Sequence, residues 1–265
     1  MFTIGTVSYL NALPLYRTLE MTGTVRVVRA VPARLTPVLA RGECDAALIP
    51  IVDYLRGVGS GLISNACIGS TGAVRSVLMF HRVPIQDIKS VAADTSSHTS
   101  VALLRVILAD GYGIEPPFIE HAPDVDQMLA THDAALIIGD RALEAALAMR
   151  EREDIQIMDL GEAWLNRVAH QPFVYAAWVA RTGLAADARE ELAALLNAAR
   201  DQGERELPSI VANNPVATNL APAQIEDYLR HAIEFHLTAA HRAGLEEFRE
   251  RCRRHGLLGL ERAGV

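Results

Sequence analysis

The segment TIGTVSYLNALPLYRTL, residues 3–19, decides how the rest of the chain is read. Thr3 to Val7 is a short, mainly apolar run that predicts a strand. A polar crossing follows at Ser8-Tyr9, and a helix is expected from about Asn11. Pro14 is tolerated in a first helical turn, because the N–H it lacks would be unpaired there. A strand that runs straight into a helix aims free N–H groups and the positive end of the helix dipole at whatever lies over the strand's carboxyl end. The crossing is therefore suited to an anion. The alternative reading is that Asn11 only caps the helix.

Outward from this segment, strands and helices alternate. Val25 to Val31 predicts a strand, and PARLTPVLARGE a helix with Pro32 near its start and Gly42 near its end. A buried strand at Cys44–Ile49, a turn at Pro50 and a short helix follow. GVGSG, residues 57–61, is a loop: the G-x-G-x-x-G spacing of a dinucleotide site is missing. Residues 73–81, AVRSVLMFH, predict a strand interrupted by Arg75 and Ser76. After Pro84 the plan restarts as strand, polar crossing and helix.

The chain contains one internal echo. Asp45-Ala46-Ala47-Leu48-Ile49 and Asp133-Ala134-Ala135-Leu136-Ile137 are identical, and each is the third strand of a β-α-β-α-β run. Two lobes on one plan are expected. The first spans 1–84 plus 181–265 and includes the C-terminal helices; the second spans 85–180. A ligand cleft belongs between them, at the carboxyl ends of both sheets.

The chain has 265 residues, enough for two lobes, and 50% of them are hydrophobic. No apolar run approaches the roughly 20 residues of a membrane span, and no basic or apolar leader precedes the first strand, so a cytoplasmic setting is expected and no membrane partner. A net charge of −7 argues against nucleic acid. Cys44, Cys67 and Cys252 form no C-x-x-C, which argues against a disulfide framework and a zinc site. The histidines form no H-E-x-x-H, and no metal is expected.

The richest chemistry lies in Asp94-Thr95-Ser96-Ser97-His98-Thr99-Ser100, five hydroxyls in seven residues between a strand and a helix. One hydroxyl suffices to cap a helix, and the others can donate to a ligand. A phosphate loop would want glycines and a lysine, yet Lys89, the single lysine, precedes the strand. Carboxylate is the better fit. The Ser8–Asn11 and Thr95–Ser100 crossings come from different lobes, so a small ligand with two acidic groups fits between them. Asp140, after the second echoed strand, is a cleft residue or a cap. Arg75 and Ser76 want a partner inside an apolar strand, and the ligand is one option. Trp164, Phe173 and Trp178 read as packing residues.

These residues resemble a known family. Gly5-Thr6-Val7-Ser8-Tyr9-Leu10-Asn11-Ala12-Leu13-Pro14-Leu15 is similar to the opening motif of the menaquinone-biosynthesis family of the futalosine pathway, the chorismate dehydratases. Later blocks keep the same order: Asp45 to Pro50, Gly72 to Leu78, Asp94-Thr95-Ser96 with Thr99-Ser100, Ile138-Gly139-Asp140, and Pro172 to Ala176. The resemblance implies an α/β fold of the two-lobed, periplasmic-binding-protein-like (type II) kind. It implies a lyase that dehydrates chorismate to 3-[(1-carboxyvinyl)oxy]benzoate without a cofactor. By the same resemblance, Asn11 is the catalytic residue at the reacting ring. Ser8, Tyr9, Pro50, Arg75, Ser76, Thr95, Ser96, Ser97, His98, Thr99, Ser100, Gly139 and Asp140 are the expected substrate-binding set. The substrate's enolpyruvyl carboxylate is the implied proton acceptor; His98 or Asp140 is the protein alternative. Two other readings stay open: a non-catalytic small-carboxylate-binding protein of the same fold, and the later naphthoate-forming step of the same pathway.

Overall fold

The structure is a computed structural model that describes residues 1–94 and 96–259. In chain order its elements are β1 (Phe2–Thr6), α1 (Leu13–Met21), β2 (Val25–Arg29), α2 (Pro32–Ala40), β3 (Ala46–Pro50), α3 (Ile51–Leu55), β4 (Leu62–Ser70) and β5 (Val77–His81). Then come β6 (Val91–Asp94), α4 (His98–Val106), β7 (Phe118–His121), α5 (Val125–Thr131), β8 (Ala134–Ile138), α6 (Asp140–Ala148), β9 (Gln156–Asp159) and α7 (Leu160–Ala163). The chain ends with β10 (Phe173–Ala180), α8 (Ala186–Arg205), α9 (Leu207–Ala212), α10 (Pro222–His231), β11 (Glu234–His236) and α11 (Ala239–Arg254).

The strands form two sheets, ordered β11-β4-β10-β3-β1-β2 and β7-β6-β8-β5-β9. Each has a parallel trio, β2-β1-β3 and β7-β6-β8, with an antiparallel strand beside its third member: β10 beside β3, β5 beside β8. The echoed sequences are these third strands. Both are buried along their whole length, which explains their unbroken apolar composition. Their leading aspartates are also equivalent. Asp45 accepts the Thr3 N–H at 3.0 Å, and Asp133 accepts those of Lys89 and Ser90 at 2.8 and 3.2 Å. In each lobe one carboxylate pins the start of the first strand to the start of the third.

The expected lobe boundaries need correction. Strand β5, placed by the sequence in the first lobe, pairs with β8 from Val77↔Ile138 to His81↔Ala134 and belongs to the second sheet. Strand β10 falls inside the bounds expected for the second lobe, yet it pairs with β3 and β4 and returns the chain to the first sheet. The crossovers are therefore residues 71–76 and 160–172, and Pro84 lies within the second lobe, in the β5–β6 connection. Helix α10 ends at His231, and Glu234–His236 adds an edge strand to the first sheet.

The second sheet shows how alternation divides its faces. Leu78 and Phe80 of β5 join Ala135 and Ile137 of β8 in a small core. Val77, Met79, Leu136 and Ile138 point the other way, into the main core that runs on into the first lobe. Trp164 packs edge-on against Phe173 and Phe248, with ring centroids 5.2 and 5.9 Å away. The three cysteines are buried free thiols.

Candidate active site

A cavity of about 560 Å³, mouth included, lies between the sheets. The first lobe contributes Val7, Tyr9, Asn11, Pro32, Leu48, Pro50, Ile68, Tyr175 and Ala176; the crossover and second lobe contribute Val74, Ser76, Val77, Ser97, Thr99, Ser100, Ile138 and Gly139. None of these described lining residues carries a charge. An apolar wall with a few placed polar groups is the usual build of small-ligand sites.

Asn11 is not a helix cap. Residues Leu10–Ala12 form a single 3-10 turn, α1 begins at Leu13, and no side chain caps either. Asn11 is 9% exposed, and its side-chain Oδ1 has no hydrogen-bond partner among the described residues. A buried amide oxygen without a partner is costly in an apolar surrounding. In a cavity wall it marks the place of a ligand donor.

The hydroxyls supply the opposite polarity. Ser97 caps α4, accepting the Ser100 N–H at 3.2 Å. Thr99 Oγ1 accepts the N–H of Val52, in the first turn of α3, at 3.3 Å. Ser76 Oγ accepts from the phenol of Tyr228 at 2.7 Å. Each of these oxygens takes a proton from the protein, and its own proton has no acceptor among the described residues. Ser100 Oγ makes no protein bond among them. Four hydroxyl donors thus face the cavity beside the N-terminus of α4, an arrangement that favours a carboxylate.

Gly139 lines the cavity where the second echoed strand turns into α6. Its φ is +67°, and a Cβ there would lie 3.3 Å from the Tyr9 ring, so the position requires glycine on both counts. Its N–H is donated to the Ser76 carbonyl at 2.7 Å, which ties the two cavity walls together. Pro50 closes the end of β3 and lacks the N–H that would otherwise need a partner there.

Five expected residues lie elsewhere. Ser8 and Asp140 line an outer pocket with Arg29, Arg141 and Glu144, on the far side of Tyr9. Asp140 accepts the Leu10 N–H at 3.1 Å, and burial pushes its carboxyl up to about 7. Arg75 stands in a turn before β5, not in a strand. Its φ is +61°, rare for a residue with a Cβ, and its guanidinium pairs with Asp227 at 2.6 Å, away from the cavity. That turn is held by Asp159, whose carboxylate accepts the N–H groups of Val74 and Arg75 at 3.0 and 2.6 Å, and those of Gly161 and Glu162 on the returning crossover at 2.9 and 3.1 Å.

His98 turns away from the cavity, its Nδ1 2.8 Å from Asp53 across the lobe boundary. It opens onto a separate pocket with Arg56, Arg105 and Glu120. Ser96 donates to Asp94 at 2.6 Å and touches the Tyr9 hydroxyl at 3.4 Å, so its proton is already committed. Thr95 lies outside the described residues. The sequence reading also missed Tyr228, Tyr175 and the apolar lining. Tyr228 and its neighbours Ile225 and Leu229 look like one core-facing helix stripe, and no polar neighbour sets it apart.

Known proteins place this architecture. A crystal structure of an Archaeoglobus fulgidus protein superposes with a TM-score of 0.78 at 13% identity, covering 97% of this chain and 98% of that one. The periplasmic aliphatic sulphonate-binding protein SsuA of Escherichia coli superposes at 0.67, with 17% identity over 98% of this chain and 94% of its own. The fold is thus the two-lobed periplasmic-binding-protein kind. In sequence, the chain is 31% identical over 267 residues to the chorismate dehydratase of Thermus thermophilus, covering 94% of each. A family model described as menaquinone biosynthesis matches residues 2–254, from the first strand to the last helix, and the chain belongs to that family.

Proposed function

We propose that this protein is a chorismate dehydratase, a carbon–oxygen lyase that converts chorismate to 3-[(1-carboxyvinyl)oxy]benzoate and water. The observation that carries the reading is the polarity of the cavity: one unpartnered amide oxygen, Asn11 Oδ1, opposite a row of hydroxyl donors at Ser76, Ser97, Thr99 and Ser100. Chorismate has a ring hydroxyl that can donate to the first and two carboxylates that accept from the second. The 31% identity to a chorismate dehydratase supports the same assignment.

The reaction removes one ring proton and the neighbouring ring hydroxyl, which leave together as water. Aromatisation supplies the driving force, so the protein's work is to orient the substrate and exclude solvent. Asn11 holds the ring at its hydroxyl. Ser76 and the first turn of α4 hold carboxylate. No described Asp, Glu, His or Lys lines the cavity; His98 and Asp140, the protein bases considered from sequence, lie outside it. The substrate's enolpyruvyl carboxylate, tethered beside the ring, takes the proton. The reading includes a cytoplasmic setting, and residues 71–76 and 160–172 as the hinge on which two lobes close over the substrate.

The test is to mix purified protein with chorismate and follow new aromatic ring protons by NMR against a protein-free control. An enolpyruvyl-substituted benzoate is the expected product. Thermal protection by chorismate without turnover would move the assignment to a binding protein of this fold. Neither turnover nor protection would overturn it.

A further inference from the structure

Arg75 takes a left-handed backbone, φ +61°, which a residue with a Cβ adopts only when its surroundings hold it there. The residues on either side of it, Val74 and Ser76, are buried and line the cavity. Asp159, which ends β9, supplies the hold. Its two oxygens divide the work. Oδ1 accepts the N–H groups of Gly161 and Glu162, the ordinary cap of α7, and also that of Val74. Oδ2 accepts only the Arg75 N–H among the described residues, at 2.6 Å. From the other side, α10 grips the same turn: Asp227 pairs with the Arg75 guanidinium at 2.6 Å, and Tyr228 donates to Ser76 Oγ at 2.7 Å. A relaxation of Arg75 to a negative φ would redirect the chain at Ser76 and carry its hydroxyl off the cavity wall.

We propose that Asp159 is a positioning residue: its Oδ2 holds Arg75 in the left-handed turn that presents the Ser76 hydroxyl to the bound substrate. This rests on the dehydratase reading for its substrate, though not for its geometry. Capping α7 does not need Oδ2, because Oδ1 takes both cap N–H groups. Asp159→Asn therefore separates the two roles. Asparagine caps as well as aspartate, and its oxygen can keep the three Oδ1 bonds. Its NH2 would then face the Arg75 N–H, donor against donor.

The experiment compares wild type, Asp159→Asn, Arg75→Gly and the double variant in chorismate turnover. Asp159→Asn is expected to lower kcat/KM about tenfold or more in the wild-type background and to cost little in Arg75→Gly, because glycine adopts a positive φ without the carboxylate. Equal losses in both backgrounds, or full turnover by Asp159→Asn, would overturn the proposal. Arg75→Val and Arg75→Gly both remove the guanidinium, so a difference between them reports the backbone. The valine variant is expected to fall about tenfold below the glycine one in kcat/KM. Equal values would overturn the proposal even if Asp159→Asn folds poorly. Absence of turnover by the wild type would sink the dehydratase reading alone. The geometry is then read from crystal structures of wild type and Arg75→Val, which need no substrate. Ser76 Oγ is expected to leave its place beside Tyr228 in the variant, and an unmoved Ser76 would overturn the proposal.

Discussion

Asp140 of the second lobe accepts the backbone N–H of Leu10 of the first at 3.1 Å. The residue that begins α6 is thus bonded to the segment that carries Asn11, and the two lobes meet at this point. Burial raises the Asp140 carboxyl from 3.8 to about 7, with the Leu10 bond opposing. A group whose folded value is raised holds its proton more tightly in the folded state. Its contribution to stability is full below about pH 4 and is lost as pH rises through about 7. The linkage is on the order of 4 kcal/mol as an upper figure. Asp140→Asn keeps an oxygen for the Leu10 N–H and removes the charge. The variant is expected to melt about 5 °C or more above wild type at pH 8.5, with the gap narrowing steadily toward pH 4, by differential scanning calorimetry. A wild-type Tm insensitive to the substitution at both pH values would contradict the burial argument.

Asn11→Asp should retain the fold and lose turnover. The new carboxylate would face a dianionic substrate in a cavity that offers no cation. Two like charges about 4 Å apart at an effective dielectric near 20 repel by about 4 kcal/mol, which is roughly a thousandfold in kcat/KM. Circular dichroism and Tm check the fold, and steady-state kinetics check the loss. An unchanged kcat/KM would remove Asn11 from the site.

Ser100 offers a cleaner probe of carboxylate binding than Ser97 or Thr99. Ser97 also caps α4, and Thr99 also holds the Val52 N–H, whereas the Ser100 hydroxyl makes no protein bond among the described residues. Ser100→Ala should leave Tm within about 1 °C, as expected for a change that breaks no protein contact. A hydrogen bond to a charged group contributes about 1.5–3 kcal/mol, so KM should rise about tenfold or more with kcat nearly constant. A fall in kcat at constant KM would instead assign Ser100 to the chemical step.

How far these sites were legible depends on where the deciding signal lay. The echoed strands and their aspartates were legible because parallel strands covered on both faces must be apolar throughout, and a fixed carboxylate at the edge repeats with the lobe. The cluster at Asp94–Ser100 was legible as a crossing, but composition could not say which hydroxyls were committed internally; Ser96 goes to Asp94, and Ser97, Thr99 and Ser100 face the cavity. Arg75 was misread because a strand and a left-handed turn held by a remote carboxylate look alike in sequence, and Asp159 is 84 residues away. Tyr228 was hidden for the same reason: its partner Ser76 is 152 residues distant, and locally it is one more apolar position on a helix.

His98 and Asp53 form another bond between the lobes, 2.8 Å from Nδ1 to Oδ2. The Asp53 bond raises His98 above its ordinary value, with burial opposing. For Asp53, burial pushes upward, but the bonds from His98 and Thr36 outweigh it and the carboxyl lies below its ordinary value. The signs run in opposite directions along the pH axis. The His98 contribution is full below about 6.5 and fades as pH rises through its raised value, while that of Asp53 is present above about 4 and fades in acid. The pair is therefore strongest between about pH 4 and 6.5. The His98 side chain is 39% exposed, so solvent screens the pair and its effect is modest. Since His98 lies outside the cavity, His98→Gln should leave kcat near wild type. It should lower Tm at pH 5.5 more than at pH 8.5. A loss of kcat with Tm unchanged would instead make His98 a catalytic residue and reopen the question of the proton acceptor.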